Sequence, residues 1–198
     1  MQKRITDRLG IVGRGNGAAF NVCALLFMVG CVVGVAASGL VEVDATLRAR
    51  FLSPAAMGFG DYLFSASKYH LVAVFFALSA LGVLGLPAVT GVRGFFMCFT
   101  TTLIVRVFGA SGIPLALATT LPATIITVPS LLILSARSLD AAKSLTMTAA
   151  GVPTRATSPY AGVFARTLLA CAALAILSAG IETLWGAKLI GAFAAKLV

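Results

Sequence analysis

The sequence from residue 20 to residue 41 reads FNVCALLFMVGCVVGVAASGLV and contains no charged side chain. An α-helix needs about 20 apolar residues to cross the hydrocarbon core of a bilayer, so this stretch is long enough to span it. A cleaved signal peptide is the alternative, because basic residues precede the stretch and small residues close it. The apolar part of a signal peptide is only about 7–15 residues long. The length therefore favours a transmembrane helix.

The rest of the chain has the same apolar character. Hydrophobic residues make up 60% of the 198 residues and charged residues 11%, a composition that excludes an ordinary soluble domain and a disordered chain. Further apolar runs occupy residues 71–92, 94–109, 113–136 and 167–190. The sequence therefore predicts an all-α, polytopic membrane protein with about five transmembrane helices, forming one integral membrane domain over residues 1–198.

The positions of the charges predict the orientation. A net charge of +9 is typical of nucleic-acid-binding proteins, but also of membrane proteins with basic cytoplasmic loops. Here the excess of Lys and Arg falls in the N-terminal tail, around residues 137–166, and at Arg93, which is expected in a turn between the second and third spans. The loop 42–70 is neutral overall. The pattern indicates an N-in, C-out protein that contacts membrane lipid and no nucleic acid.

Small residues in the first span predict close helix packing. Gly30, Gly34 and Ser38 follow one another at four-residue spacing, which puts them on one face of a helix and lets two backbones approach each other. This face could serve a second copy of the chain or another helix of the same chain, and both interpretations stay open here.

Glu182 in the fifth span and Arg106 at the end of the third are charges among apolar residues. A charge in a membrane usually faces the interior of a helix bundle, so the two side chains are candidates for a structural pair. Glu182 is alternatively a proton or ion site, and Arg106 alternatively reaches outwards to the membrane surface.

Pro122 and Pro129 lie seven residues apart on one face of the fourth span. Proline removes a backbone hydrogen bond, which here indicates either a bend for packing or a broken helix of the kind that forms substrate sites in transporters. No motif for catalysis, cofactor binding or metal binding is found in the sequence, so no catalytic, cofactor or metal residue is predicted.

Several short motifs resemble the stage II sporulation protein M family of bacterial membrane proteins. They are Gly85-Leu86-Pro87, then Arg93-Gly94, then the pair of prolines at 122 and 129, and finally Ile181-Glu182. The resemblance implies a noncatalytic scaffold in the bacterial cell membrane, on the mother-cell side in a sporulating organism. Its implied partners are stage II sporulation proteins D and P, which remodel peptidoglycan during septum migration and forespore engulfment. A transporter or permease-like subunit is the alternative function.

Overall fold

The computed structural model describes residues 16–52, 58–151 and 162–197, and this part of the chain is helical and contains no strand. The all-α prediction is confirmed at that level. The elements are α1 (Asn16–Ser38), α2 (Ala45–Leu52), α3 (Phe59–Ala77), α4 (Gly82–Phe108), a 3₁₀ turn (Gly109–Ser111), α5 (Gly112–Ala149) and α6 (Val163–Leu197). Five of these helices are long, and α2 is a short element between α1 and α3.

Three stretches of the described helices are long and apolar enough to cross a membrane. They are Gly17–Ser38, Gly82–Ala149, which continues through α4, the 3₁₀ turn and α5, and Phe164–Trp185. The helix α3 is not among them, because it carries Asp61, Lys68 and His70 within its 19 residues. The apolar helices indicate a membrane-embedded protein.

The second and third predicted spans need a correction. The sequence suggested spans over residues 71–92 and 94–109 with a turn at Arg93, but α3 ends at Ala77 and α4 runs without interruption from Gly82 to Phe108. The turn comes earlier because the Ser79 hydroxyl accepts the Leu81 N–H at 3.2 Å, and the Ser79 carbonyl accepts the Gly82 N–H at 2.9 Å. Arg93 therefore lies inside a helix, about 16 Å along α4 from its start at 1.5 Å per residue.

The ends of α1, α5 and α6 also differ from the predicted bounds. Some differ by a few residues, and others extend well beyond the apolar run. The first helix covers Asn16–Ser38 in place of 20–41, and the last covers Val163–Leu197 in place of 167–190. The fourth predicted span, 113–136, is only part of α5, which continues to Ala149. An apolar run marks the stretch that suits lipid, whereas a helix continues through charged residues as long as its backbone hydrogen bonds persist.

The long helices pack side by side with α5 in the centre, where it contacts α1, α3, α4 and α6. The contacts between neighbouring helices give their directions: α1, α4 and α6 run one way, and α3 and α5 run the other way. For example, Gly82 at the start of α4 lies against Ala142 near the end of α5. The largest fully buried side chains of the core are Leu86 on α4 and Leu131, Leu134 and Leu139 on α5.

The glycine face of α1 is used inside the chain. A Cβ atom at Gly30 would overlap the Gly91 carbonyl oxygen of α4, and one at Gly34 would overlap the Phe95 carbonyl oxygen. From the other side, a Cβ at Gly94 would overlap the Phe27 carbonyl oxygen of α1. Of the two interpretations that the sequence left open, the structure supports the intramolecular one, because α4 occupies the face that a second copy would need.

Candidate functional site: a polar cavity between four helices

Four helices of this apolar bundle line an open cavity of about 370 Å³, and most of the lining side chains are polar. Helix α3 contributes three side chains, α4 four, α5 four and α6 one. The polar members of this lining are Ser65, Lys68, Tyr69, Arg93, Thr100, Thr119, Thr120, Thr124 and Glu182. Polar and charged groups among apolar helices are costly unless they have partners, so their convergence on one cavity makes it the candidate functional site.

Two cations reach the cavity from the middle of their helices. Lys68 lies halfway along α3, with nine residues of helix on either side, and Arg93 lies near the middle of α4. Both cations contact the aromatic ring of Tyr69. The Arg93 Cζ atom is 5.1 Å from the ring centroid and the Lys68 Nζ atom is 5.2 Å from it, which is within the range of cation–π attraction.

Arg93 is also bound to α5. Its Nη2 atom donates to the Thr127 Oγ1 atom at 3.3 Å, and the Thr127 hydroxyl in turn donates to the Ala123 carbonyl at 2.9 Å. This pairing explains why Arg93 stays within the bundle, since Thr127 and Tyr69 replace part of the hydration that an aqueous turn would provide.

Glu182 is the acid of the cavity. Among the described residues its carboxyl group makes no hydrogen bond and no ion pair, and it lines the same cavity as Arg93 and Lys68. The sequence suggested that Arg106 pairs with Glu182, but in the structure Arg106 has other partners. Arg106 donates from Nη1 to the Ser38 carbonyl and, at 3.0 Å, to the Val41 carbonyl.

Arg106 therefore has a structural role at the end of α1. The last carbonyl groups of a helix have no partner within the helix and carry partial negative charge. The Arg106 guanidinium binds one such carbonyl, that of Ser38, and also the Val41 carbonyl three residues beyond the helix. The Ser38 side chain, which the sequence placed on the packing ridge, is buried and donates to the Val35 carbonyl at 2.7 Å.

A buried histidine, His70, follows the cavity residue Tyr69 in α3. The His70 Nδ1 atom is 3.0 Å from the Ala66 carbonyl, and its Nε2 atom is 2.9 Å from the Ser130 hydroxyl. Because a carbonyl only accepts, Nδ1 carries a proton. The Ser130 hydroxyl is also 3.0 Å from the Thr127 carbonyl. Its single proton can serve either Nε2 of a neutral ring or that carbonyl, and Thr127 is the residue that holds Arg93.

The two prolines of α5 do not interrupt the helix, which is continuous from Gly112 to Ala149. The threonines next to Pro122 donate to carbonyls one turn before them. Thr119 donates to the Leu115 carbonyl at 2.9 Å, and Thr120 donates to the Ala116 carbonyl. Their hydroxyl protons are thus used within α5, and their oxygen atoms remain available as acceptors at the cavity.

The remaining candidate residues lie outside the cavity. Gly85 lies against the Phe76 ring of α3, where a Cβ would be about 2.5 Å from the ring atoms. Pro87 is buried near the start of α4, and Pro129 is exposed. Of the residues that the sequence singled out, the structure brings Arg93 and Glu182 together at the cavity and separates both from Arg106.

Sequence reasoning missed Lys68, Tyr69 and the pair of His70 with Ser130. Lys68, Tyr69 and His70 all lie in α3, and the polarity of this segment was the signal that could have identified them. The predicted boundary between the loop 42–70 and the span 71–92 divided this helix in two. The structure also brings the Cys31 thiol of α1 near the Cys98 thiol of α4. Only the packing of the two helices brings these thiols together.

Within residues 16–52, 58–151 and 162–197, no three His, Cys, Asp or Glu side chains are grouped as ligands for a metal ion. Comparison of the chain with protein-family models, with curated proteins and with solved structures finds no match.

Proposed function

We propose that this chain is a noncatalytic protein of the bacterial cell membrane with five transmembrane helices, its N-terminus inside and its C-terminus outside. The alternating directions of the five long helices support this topology. The basic residues support it as well, because Arg137 and Lys143 of α5 and Arg166 of α6 lie at the same end of the bundle as the start of α1. Basic residues gathered at one end follow the positive-inside rule.

The function that the geometry supports best is that of a transporter or permease-like subunit that binds a small polar ligand between its helices. The observation that carries this proposal is the cavity that holds Lys68, Arg93 and Glu182 near the middle of α3, α4 and α6. Ionisable residues are rare inside membranes and mark ligand and ion pathways. Transporters place their substrate sites at a similar depth, between helices.

Uptake into liposomes tests this function. Purified protein is reconstituted, and the uptake of a panel of labelled carboxylates, amino acids and phosphate is measured. Thr124→Trp places an indole in the cavity and should abolish uptake. Ile125→Trp is the matched control, because Ile125 is the next residue of α5 and is 65% exposed on the outer face. If correctly inserted wild-type protein moves none of these solutes, the transport function is wrong.

A second candidate is the scaffold for peptidoglycan-remodelling hydrolases that the sequence motifs suggest. The observation that favours it is α2, an ordered element in the segment predicted to lie outside the membrane. Its Phe51 ring meets the Phe108 ring edge-on with 6.4 Å between centroids, and the Arg48 guanidinium lies 5.7 Å from the Phe108 centroid. These contacts fix α2 against the end of α4, as a surface that docks partner proteins requires.

Membrane-dye microscopy of a deletion strain tests the scaffold. A stalled, unengulfed forespore that is rescued by wild-type protein but not by Phe51→Ala supports a role of α2 in septum migration. Phe59→Ala is the control, since Phe59 is 45% exposed and makes no ring contact among the described residues. Normal engulfment in the deletion strain would remove this candidate. The Gly30 face is not available to partners, because α4 already covers it.

A further inference from the structure

We infer that the cavity is a binding site for one singly charged oxyanion, either the carboxylate of a soluble compound or the phosphodiester of a lipid headgroup. The inference uses the cavity of the proposed transport function and names the class of ligand that this cavity takes. It rests on the charges, the free hydrogen-bond donors and the opening of the cavity.

With all three ionisable side chains charged, the charges of the cavity sum to one positive unit. Lys68 and Arg93 contribute two cations and Glu182 one carboxylate. An unbalanced charge among apolar helices is unfavourable, so one added negative charge makes the site neutral. A doubly charged anion would exceed this balance and would bring its second charge towards Glu182.

The two cations are placed to share one anion. The Lys68 Nζ and Arg93 Cζ atoms lie 5.2 and 5.1 Å from the Tyr69 centroid, and both side chains line the cavity, so an oxyanion in it is attracted by both. A guanidinium has five N–H donors and an ammonium three. Among the described residues, Arg93 uses one donor for Thr127 and Lys68 uses none in a hydrogen bond. Most of the donors that suit carboxylate and phosphate oxygens are therefore free.

The cavity opens to the outside of the bundle, so both kinds of ligand can reach it. Its rim includes Phe96, which is 50% exposed, together with the exposed side chains of Ser65 and Thr100. An apolar ring beside two hydroxyls matches a molecule that joins an apolar part to a charged oxyanion. A lipid has this build, and so does a small organic acid.

The experiment compares anions with neutral compounds of the same shape. The full chain is placed in nanodiscs of phosphatidylcholine, and binding of acetate against acetamide, and of dimethyl phosphate against trimethyl phosphate, is measured by ligand-observed NMR. A second arm uses nanodiscs that contain phosphatidylglycerol, with native mass spectrometry to detect retained lipid. Binding of a small anion alone identifies a soluble ligand, and retention of phosphatidylglycerol that dimethyl phosphate displaces identifies the lipid.

Variants then locate the site. Arg93→Gln and Lys68→Gln should each weaken anion binding roughly ten- to hundredfold, the range for hydrogen bonds to charged groups. Arg166→Gln, which removes an exposed cation at the start of α6, should leave it unchanged. Glu182→Gln should admit methyl phosphate as a dianion. The displacement measurement on wild-type protein tests the inference without any variant, in case a variant fails to fold.

The inference and the transport function fail in different ways. The inference is overturned if neither arm distinguishes an anion from its neutral counterpart, or if Arg166→Gln weakens binding as much as Arg93→Gln. If Thr124→Trp abolishes transport but the rate does not depend on the charge of the solute, the proposed function stands and the inference is overturned. If an anion binds at Arg93 but no solute is transported, the binding site stands and the transport function is overturned.

Discussion

Replacing Gly30 by alanine tests the packing of α1 against α4, on which the position of Arg93 depends. The added Cβ would overlap the Gly91 carbonyl oxygen, a backbone atom that cannot turn aside as a side chain can. Overpacking a close contact costs about 1–3 kcal/mol. This loss outweighs the gain of roughly 0.5–1 kcal/mol that alanine brings to a helix in place of glycine. Gly30→Ala should therefore lower the stability of the protein.

Gly180→Ala is the matched control, because Gly180 is also inside a helix and has open space where a Cβ would be. Thermal unfolding in detergent, followed by circular dichroism, measures both variants. For a chain of this size, 1 kcal/mol corresponds to about 2–4 °C in Tm. Gly30→Ala should thus unfold several degrees below the wild type, and Gly180→Ala at or above it. Equal Tm values for the two variants would refute the close backbone contact between α1 and α4.

Three further predictions concern other parts of the bundle. Arg106→Gln should destabilise the protein by about 1.5–3 kcal/mol, measured by thermal unfolding, because charged hydrogen bonds at the end of α1 are lost; an unchanged Tm would contradict that role. Oxidation should link Cys31 to Cys98, seen by mass spectrometry as a joined peptide pair, and recovery of both as free thiols would contradict their contact. An impermeant thiol reagent applied outside intact cells should label Ala110→Cys and not Thr148→Cys, and the reverse pattern would invert the topology.

The sequence predicted the helical class and the number of long helices because both follow from the length and spacing of apolar runs. It placed the second turn wrongly, at Arg93, because a charged residue between two apolar runs is typical of a loop. The partners that keep Arg93 within the bundle, Tyr69 and Thr127, come from helices before and after its own. No pattern local to residue 93 contains that information.

The candidate site was predictable only in part. Glu182 was recognisable as a charge that needs a partner, but the sequence gives no distance between helices, and Arg106 looked as suitable as Arg93. Helix packing decides between them, since the end of α1 takes Arg106 and leaves Arg93 at the cavity. Lys68 was missed for a similar reason, because its neighbours in the sequence resembled an aqueous loop.

The contact between α1 and α4 also limits how the cavity can move. With backbone against backbone at Gly30, Gly34 and Gly94, these two helices leave no room for a side chain between them, and the wall that carries Arg93 belongs to this pair. The other lining side chains of the cavity lie on α3, α5 and α6. Any change in the width of the cavity that keeps the contact between α1 and α4 therefore has to come from these three helices.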